Sequence, residues 1–327
     1  MFDIPVALFL FRRSETIPAI ITRLREVKPA KVYLLADEGR NEKEIREAHS
    51  VRALAESLID WDCEIVKNYA TENRGVYKNI GEGAKWVFER EKTAIFIEDD
   101  NLPETTFFEY AKELLTRYEN DPRILWICGT NYFTEMQSAY SYEFTQHLLP
   151  CGWASWADKF SCCYDGELKT FSDKQKRTAF VKSYKNKWLA LWRMQMIYEE
   201  CVRQKKKKKF QSWDYQMIWS IRSQNLLGIV PTRNQVTNIG VDNISIHGTV
   251  SKKQVMTDRF CEVPSMALSF PLVHPNQVSV NEMSEKALAE IICPPHKMVL
   301  RYVVSNWVKK ILGFDMLKSW EQILGRK

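Results

Sequence analysis

The chain has 327 residues, 45% hydrophobic and 27% charged, a globular composition that excludes disorder over most of its length. Its formal net charge of +6 suggests anionic partners, and apolar runs such as residues 6–11 fall far short of the roughly 20 residues needed to span a bilayer. Eight cysteines occur without a CxxC pair, which argues against a zinc site of the usual spacing and for reduced, mostly buried thiols.

The N-terminal stretch MFDIPVALFLFRR carries its positive charges after the apolar run and has no small-residue cleavage site. The expectation is therefore a cytoplasmic, bacterial protein. From residue 4 onward the pattern alternates. Residues 6–11 (VALFLF) read as a buried strand and 16–27 as a helix. Residues 31–37 (KVYLLAD) are a strand, 42–59 a long amphipathic helix, 63–68 a strand and 76–91 a helix. A strand at 93–98 (TAIFIE), a helix at 103–119 and a strand at 123–131 complete the first part. Near-continuous apolar strands separated by helices predict an α/β fold with a mainly parallel sheet covered on both faces, binding its ligand beyond the carboxyl ends of the strands.

Beyond residue 131 the pattern is less regular. Residues 149–160 (LPCGWASWADKF) predict a Gly/aromatic turn leading into a helix, and 173–203 read as helical and rich in Lys and Trp. Lys205–Lys209 is a run of five positive charges, expected as a solvated, mobile loop or as a contact for an anionic acceptor or an acidic membrane surface. Without interleaved aromatic residues it does not suggest nucleic acid. Residues 210–225 read as a loop entering a helix, and 227–240 as a short strand and a polar loop. In the tail, Leu300, Val303, Val304, Trp307, Val308, Ile311 and Leu312 recur at three- and four-residue spacing beside Arg301, Lys309 and Lys310. This predicts an amphipathic basic helix, then a short one around 316–324, either packed on the rest of the chain or lying in a membrane interface with Trp307 and Trp320 as anchors.

Chemistry concentrates at strand ends. Glu98, Asp99 and Asp100 follow directly on a buried strand, and three adjacent acids repel one another unless a cation joins them. Oxygen ligands suit a hard divalent ion, Mn2+ or Mg2+, shared with substrate phosphates. No GxxxxGK[ST] loop occurs, nor a GxGxxG after the first strand, so neither a P-loop nor a dinucleotide fingerprint is present. The first strand instead leads into FRRSE, placing Arg12 or Arg13 to meet a phosphate. The second leads into ADEGR, placing Asp37 to accept hydrogen bonds from a base or ribose.

Taken together, the segments VALFLFRRSET, PAKVYLLADEGR, NRGVYKNIGEGAKWVF, AIFIEDDNLPETTFFEY, LPCGWASW and SWDYQ resemble the GT-A fold nucleotide-sugar glycosyltransferases, in particular bacterial family-two-type enzymes similar to N-acetylglucosaminyltransferase I. The resemblance covers roughly residues 4–248. It implies a catalytic domain over 1–250, with a nucleotide-binding half (1–131) and an acceptor-side half (132–250), followed by a helical C-terminal extension (251–327). It further implies that Asp100 binds the metal bridging the diphosphate of a UDP-sugar, that Glu98 and Asp99 contact the sugar or ribose and the metal's waters, and that Arg13, Asp37 and Lys78 approach the nucleotide. Gly152 and Trp153 would shape the donor-sugar and acceptor pocket, His247 would lie near the phosphates or metal, and Asp214 would be the general base. The expected activity is inverting, metal-dependent transfer to a hydroxyl of a glycan or lipid-linked acceptor in surface polysaccharide assembly. The enzyme would be cytoplasmic, peripheral on the inner face of the plasma membrane if the tail binds lipid.

Two other readings remain. A sugar nucleotidyltransferase needs a Gly-rich basic loop after the first strand, and FRRSETIP has no glycine. A non-catalytic carbohydrate- or nucleotide-sugar-binding protein has no need of the acidic triplet together with Asp214.

Overall fold

The computed structural model describes residues 1–240 and 260–325. An eight-stranded sheet runs in the order β3-β2-β1-β4-β8-β6-β9-β7. Its strands are β1 (Val6–Leu10), β2 (Lys31–Ala36), β3 (Glu64–Tyr69), β4 (Thr93–Glu98), β6 (Ile124–Cys128), β7 (Tyr142–Thr145), β8 (Trp153–Trp156) and β9 (Leu227–Pro231). β3, β2, β1 and β4 are mutually parallel, β8 is antiparallel to both β4 and β6, β9 is parallel to β6, and β7 closes the far edge antiparallel to β9. A small antiparallel pair, β5 (Asn101–Pro103) with β10 (Val236–Asn238), sits directly beyond the end of β4.

The predicted core alternation is realised along β1, where all five residues are buried. Val6, Leu8 and Leu10 face one layer, while Ala7 and Phe9 face the other. The first layer holds α1 (Ile17–Val27), α2 (Glu42–Leu58) and α4 (Thr106–Arg117). The second holds α3 (Gly83–Phe88), α5 (Ala157–Cys163), α6 (Lys174–Lys182), α7 (Lys187–Lys207) and α8 (Asp214–Ser223). Burial on both faces is what a parallel sheet with crossover helices requires. All eight cysteines are free thiols.

Before the tail, three segments depart from the sequence reading. Residues 149–160 contain a strand, β8, between their turn and helix. Trp153 and Trp156 are pinned in that strand by pairing with β4, and no local pattern announces a four-residue strand. Residues 173–203 form two helices, separated where Asn186 caps α7 by accepting from the Leu189 amide at 3.0 Å. Three lysines of the run are helical rather than looped: α7 continues through Lys207 and ends at Lys208, in left-handed conformation, with Lys209 beyond it. Lysine is a good helix former, and cations favour the negative end of the helix dipole.

The tail contains α9 (Glu282–Ile292), unforeseen in the sequence, then α10 (His296–Ile311) and the short α11 (Trp320–Ile323). A buried polar knot fixes α9. Glu285 receives Arg222 at 2.7 Å, the Thr145 hydroxyl at 2.6 Å and the Gln146 amide at 3.1 Å, and His147 bridges Arg222 to the Glu285 carbonyl. Among the described residues no helix is long and apolar enough to cross a membrane.

Candidate functional site

A cleft of about 710 Å³ opens beyond the carboxyl ends of β1, β2 and β4. Its floor carries the acidic triplet. Asp99 is the clamp beneath it, accepting from the Phe11 amide at 2.8 Å and from Arg13 at 2.9 Å, while its carbonyl accepts from the Thr16 hydroxyl. The end of β1 is thereby tied to the end of β4. Arg13 also reaches Asp100 at 3.2 Å. Arg12 turns the other way, toward Glu44 at 2.8 Å and Glu47 at 3.2 Å on α2, so Arg13 is the arginine of this loop that faces the acids.

Asp100 is held on its other side by the Asn101 amide at 2.6 Å. Asn101 is fully buried and accepts from the Gly152 amide at 2.8 Å, which couples β5 to the turn before β8. Gly240 presses against Asp100 so closely that a Cβ there would come within 2.6 Å of its Oδ2. Burial, then the charges of Asp100 and Asp99, raise the Glu98 carboxyl well above its ordinary range, and the charge of Asp214 adds to the effect. Burial raises Asp99 to about 6 against the opposing pull of Arg13.

Asp214 enters from the opposite wall, at the first turn of α8, and accepts from the Ser212 hydroxyl. Its position derives from an aromatic stack. Trp126 and Trp153 lie face to face at 4.1 Å between centroids, Trp153 and Phe96 at 4.0 Å, and Trp213 rests against both tryptophans at 5.8–5.9 Å. Trp213, Tyr215 and Tyr132 line the cleft beside Asp214. Aromatic faces next to a carboxylate suit a sugar ring.

The structure thus brings Arg13, Asp37, Glu98, Asp99, Asp100 and Asp214 together around one cleft. Asp37 already receives the amides of Glu38, Arg74 and Gly75 and the Asn73 side chain at 2.7–3.1 Å. Those four bonds fill about all the lone-pair positions of a carboxylate, so Asp37 organises the 73–75 loop. Two assignments need correction. Lys78 is exposed and outside the cleft, whereas its neighbour Asn79 is buried in the cleft wall with no partner for its Oδ1 among the described residues. The π turn Tyr77–Glu82 sets this orientation. Trp153 is 1% exposed and belongs to the stack under the floor, not to the pocket surface. Gly152 lies just behind the cleft-lining Pro150 and Cys151. His247 falls outside the described residues.

Lys207 and Lys209 of the lysine run line the cleft, as do Arg74, Arg193 and Arg203, which had no individual signal in the sequence because no motif surrounds them. Periodicity placed Arg193 and Arg203 on a helix without revealing which face of α7 borders the cleft.

Among the described residues no group of three His, Cys, Asp or Glu side chains forms a ready-made metal cage. Glu98 and Asp100 at the strand end are nevertheless hard oxygen donors, with Arg13 beside Asp100. They fit a divalent ion held by one or two carboxylates and completed by substrate phosphates.

No protein-family model matches the sequence, and no curated protein matches it. Among solved structures, the chain is similar to a 4-diphosphocytidyl-2C-methyl-D-erythritol synthase from Anaerococcus prevotii, at 9% identity over 51% of this chain and 78% of that one, with a TM-score of 0.34. It is also similar to UDP-glucose pyrophosphorylase complexed with UDP-glucose (10% identity, 72% of this chain and 94% of that one, TM-score 0.37) and to an apo form (10%, 72% and 93%, 0.37). Overlap this slight carries no inference about activity.

Proposed function

We propose that the chain is a transferase acting on a nucleotide sugar, and specifically an inverting, metal-dependent glycosyltransferase of the GT-A type using a UDP-sugar. The observation that carries the proposal is the pairing across one cleft of the strand-end triplet Glu98, Asp99 and Asp100 with Asp214 from α8. The acceptor is a hydroxyl of a glycan or lipid-linked saccharide.

In this reading Asp100 would hold Mn(II) or Mg(II), and Glu98 would lie beside it toward the sugar. The bound ion supplies Lewis-acid stabilisation of the departing diphosphate. Arg13 adds a fixed positive charge beside the same phosphates, where charge develops. Asp214 takes the proton of the attacking hydroxyl. The new bond forms between that oxygen and the anomeric carbon, the bond to the β-phosphate breaks, and its electron pair leaves with UDP. A single displacement inverts the anomeric configuration.

The test measures UDP release from a panel of UDP-sugars with Mn(II), Mg(II) or EDTA, comparing the native chain with Asp100→Asn and Asp214→Asn. Metal-dependent release from one donor is expected, with losses of about 10²–10⁴-fold in each variant. Pyrophosphate exchange into a nucleotide sugar, without UDP release, would replace this reading with a sugar nucleotidyltransferase. Binding without either reaction on a complete acceptor panel would leave a non-catalytic binding protein.

A further inference from the structure

Helix α10 is docked the wrong way round for a helix packed on a soluble domain. Its buried side is polar. The Tyr302 hydroxyl and the Asn306 amide donate to Glu199 of α7 at 2.8 and 2.7 Å, and Lys309 donates to the Lys318 carbonyl at 2.8 Å. Val299 is the apolar residue buried on that side. The opposite side is apolar and exposed: Leu300 is 51% accessible, Val304 47%, Trp307 63% and Ile311 61%. Steps of four, three and four residues stack these side chains in one stripe, about 16 Å long at the helical rise. Among the described residues nothing covers it.

The stripe is flanked by cations on both sides. Lys297 and Arg301 border one edge and Lys310 the other, all exposed. One lysine of the run, Lys206, pairs with Asp315, just past α10, at 2.8 Å. A self-complementary contact with a second copy would set these cations against their own symmetry mates, which is repulsive. An anionic lipid surface complements both features at once: apolar side chains enter the acyl boundary, a tryptophan sits at headgroup level, and flanking lysines and arginines meet negative headgroups.

We propose that the exposed face of α10 docks the protein onto an anionic bilayer surface. This rests on the C-terminal helix and not on the chemistry of the cleft. It has a consequence for access, however: Met298, on the first turn of α10, lines the cleft together with Ile292 and Pro294. Docking therefore holds the cleft across the width of α10 from the lipid surface, about one helix diameter away, within reach of a lipid-held acceptor.

The experiment is co-sedimentation of the full chain with vesicles of phosphatidylcholine alone or mixed with phosphatidylglycerol, across a salt series. Nucleotide-sugar binding is measured on the same samples. The native chain is expected on the mixed vesicles, weakly on phosphatidylcholine, and less as salt rises. Val304→Asp/Trp307→Asp is expected to abolish sedimentation while leaving the melting temperature and nucleotide binding unchanged. Lys297→Gln/Arg301→Gln/Lys310→Gln tests the flanks without touching the stripe, and each charge removed weakens binding about fivefold. Native chain that stays in solution, or a stripe variant that sediments equally, overturns the proposal whatever the cleft binds. A dimer in sedimentation velocity that the stripe variant dissolves also overturns it, by naming a second copy as the occupant.

Discussion

Asp99 and Asp100 are adjacent in sequence yet do different work, because the backbone turns between them. Asp99 points back into the β1–β4 junction and is consumed by the Phe11 amide and Arg13, whereas Asp100 stands at the rim against Asn101 and Gly240. The triplet's place at a strand end was legible in the sequence, whereas the tie of Asp99 to the end of β1 through Phe11 and Arg13 was not. Gly152 illustrates the same point. Its φ of +61° lies where a Cβ is strained, and that Cβ would come within 2.6 Å of Val236 on β10. Gly152→Ala is expected to lower stability by about 1–3 kcal/mol in urea denaturation. It should also weaken nucleotide-sugar binding, since the Gly152 amide fixes Asn101 and through it Asp100. Unchanged stability would mean that the turn relaxes without penalty.

The element that sequence periodicity could not anticipate is α9, whose apolar positions are ordinary but whose anchor is a buried ion pair with distant partners. His147 sits between Arg222 and Glu285, and burial followed by the nearby Arg222 charge drives its pKa from 6.5 down to about 3. In the folded protein His147 therefore stays neutral, donating from Nε2 to the Glu285 carbonyl and accepting from Arg222 at Nδ1. The unfolded chain takes up a proton as pH falls below about 6.5, while the folded protein does not, so stability is intact above that pH and declines toward about 3. The slope is about 1.4 kcal/mol per pH unit for one such group. Burial pushes Glu285 up, but the Arg222 charge and the hydrogen bonds from Thr145 and Arg222 hold it below its usual range, so it adds to the loss only at the acid end. Denaturation between pH 6.5 and 4.5 should therefore show a decline that His147→Gln flattens. An identical slope in the variant would assign it to other groups.

At the scale of the whole molecule, the cleft is electrically divided. Its floor holds the three carboxylates of the triplet and Arg13, while its walls carry Asp214 and the cations Arg74, Arg193, Arg203, Lys207 and Lys209. Such an arrangement draws an anionic ligand toward the walls before its phosphates meet the floor. The association rate of a UDP-sugar, followed by stopped-flow fluorescence, is expected to fall as salt rises from 10 to 200 mM, roughly as the screening length shortens from about 30 Å to less than 10 Å. Dissociation should change much less. A salt-independent rate would mean that these side chains serve packing or another ligand. The net charge of +6 pointed to anionic partners, but only the folded chain shows that part of the excess faces the cleft and part faces outward beside the α10 stripe.

The sequence by itself determined the repeating strand–helix order, the burial of both sheet faces and the position of the acidic triplet at a strand end, since these depend on local periodicity and on where an apolar run stops. Tertiary structure alone decided that β8 inserts antiparallel between β4 and β6, that Trp153 supports the floor while Asn79 rather than Lys78 faces the cleft, and that α10 buries its polar side. Each of those outcomes depends on a partner distant in the chain: β4 and β6 for the strand, Trp126 and Trp213 for the stack, Glu199 for the helix. Local pattern records how a segment folds, and the free energy of contacts with distant segments selects which of its faces is turned inward.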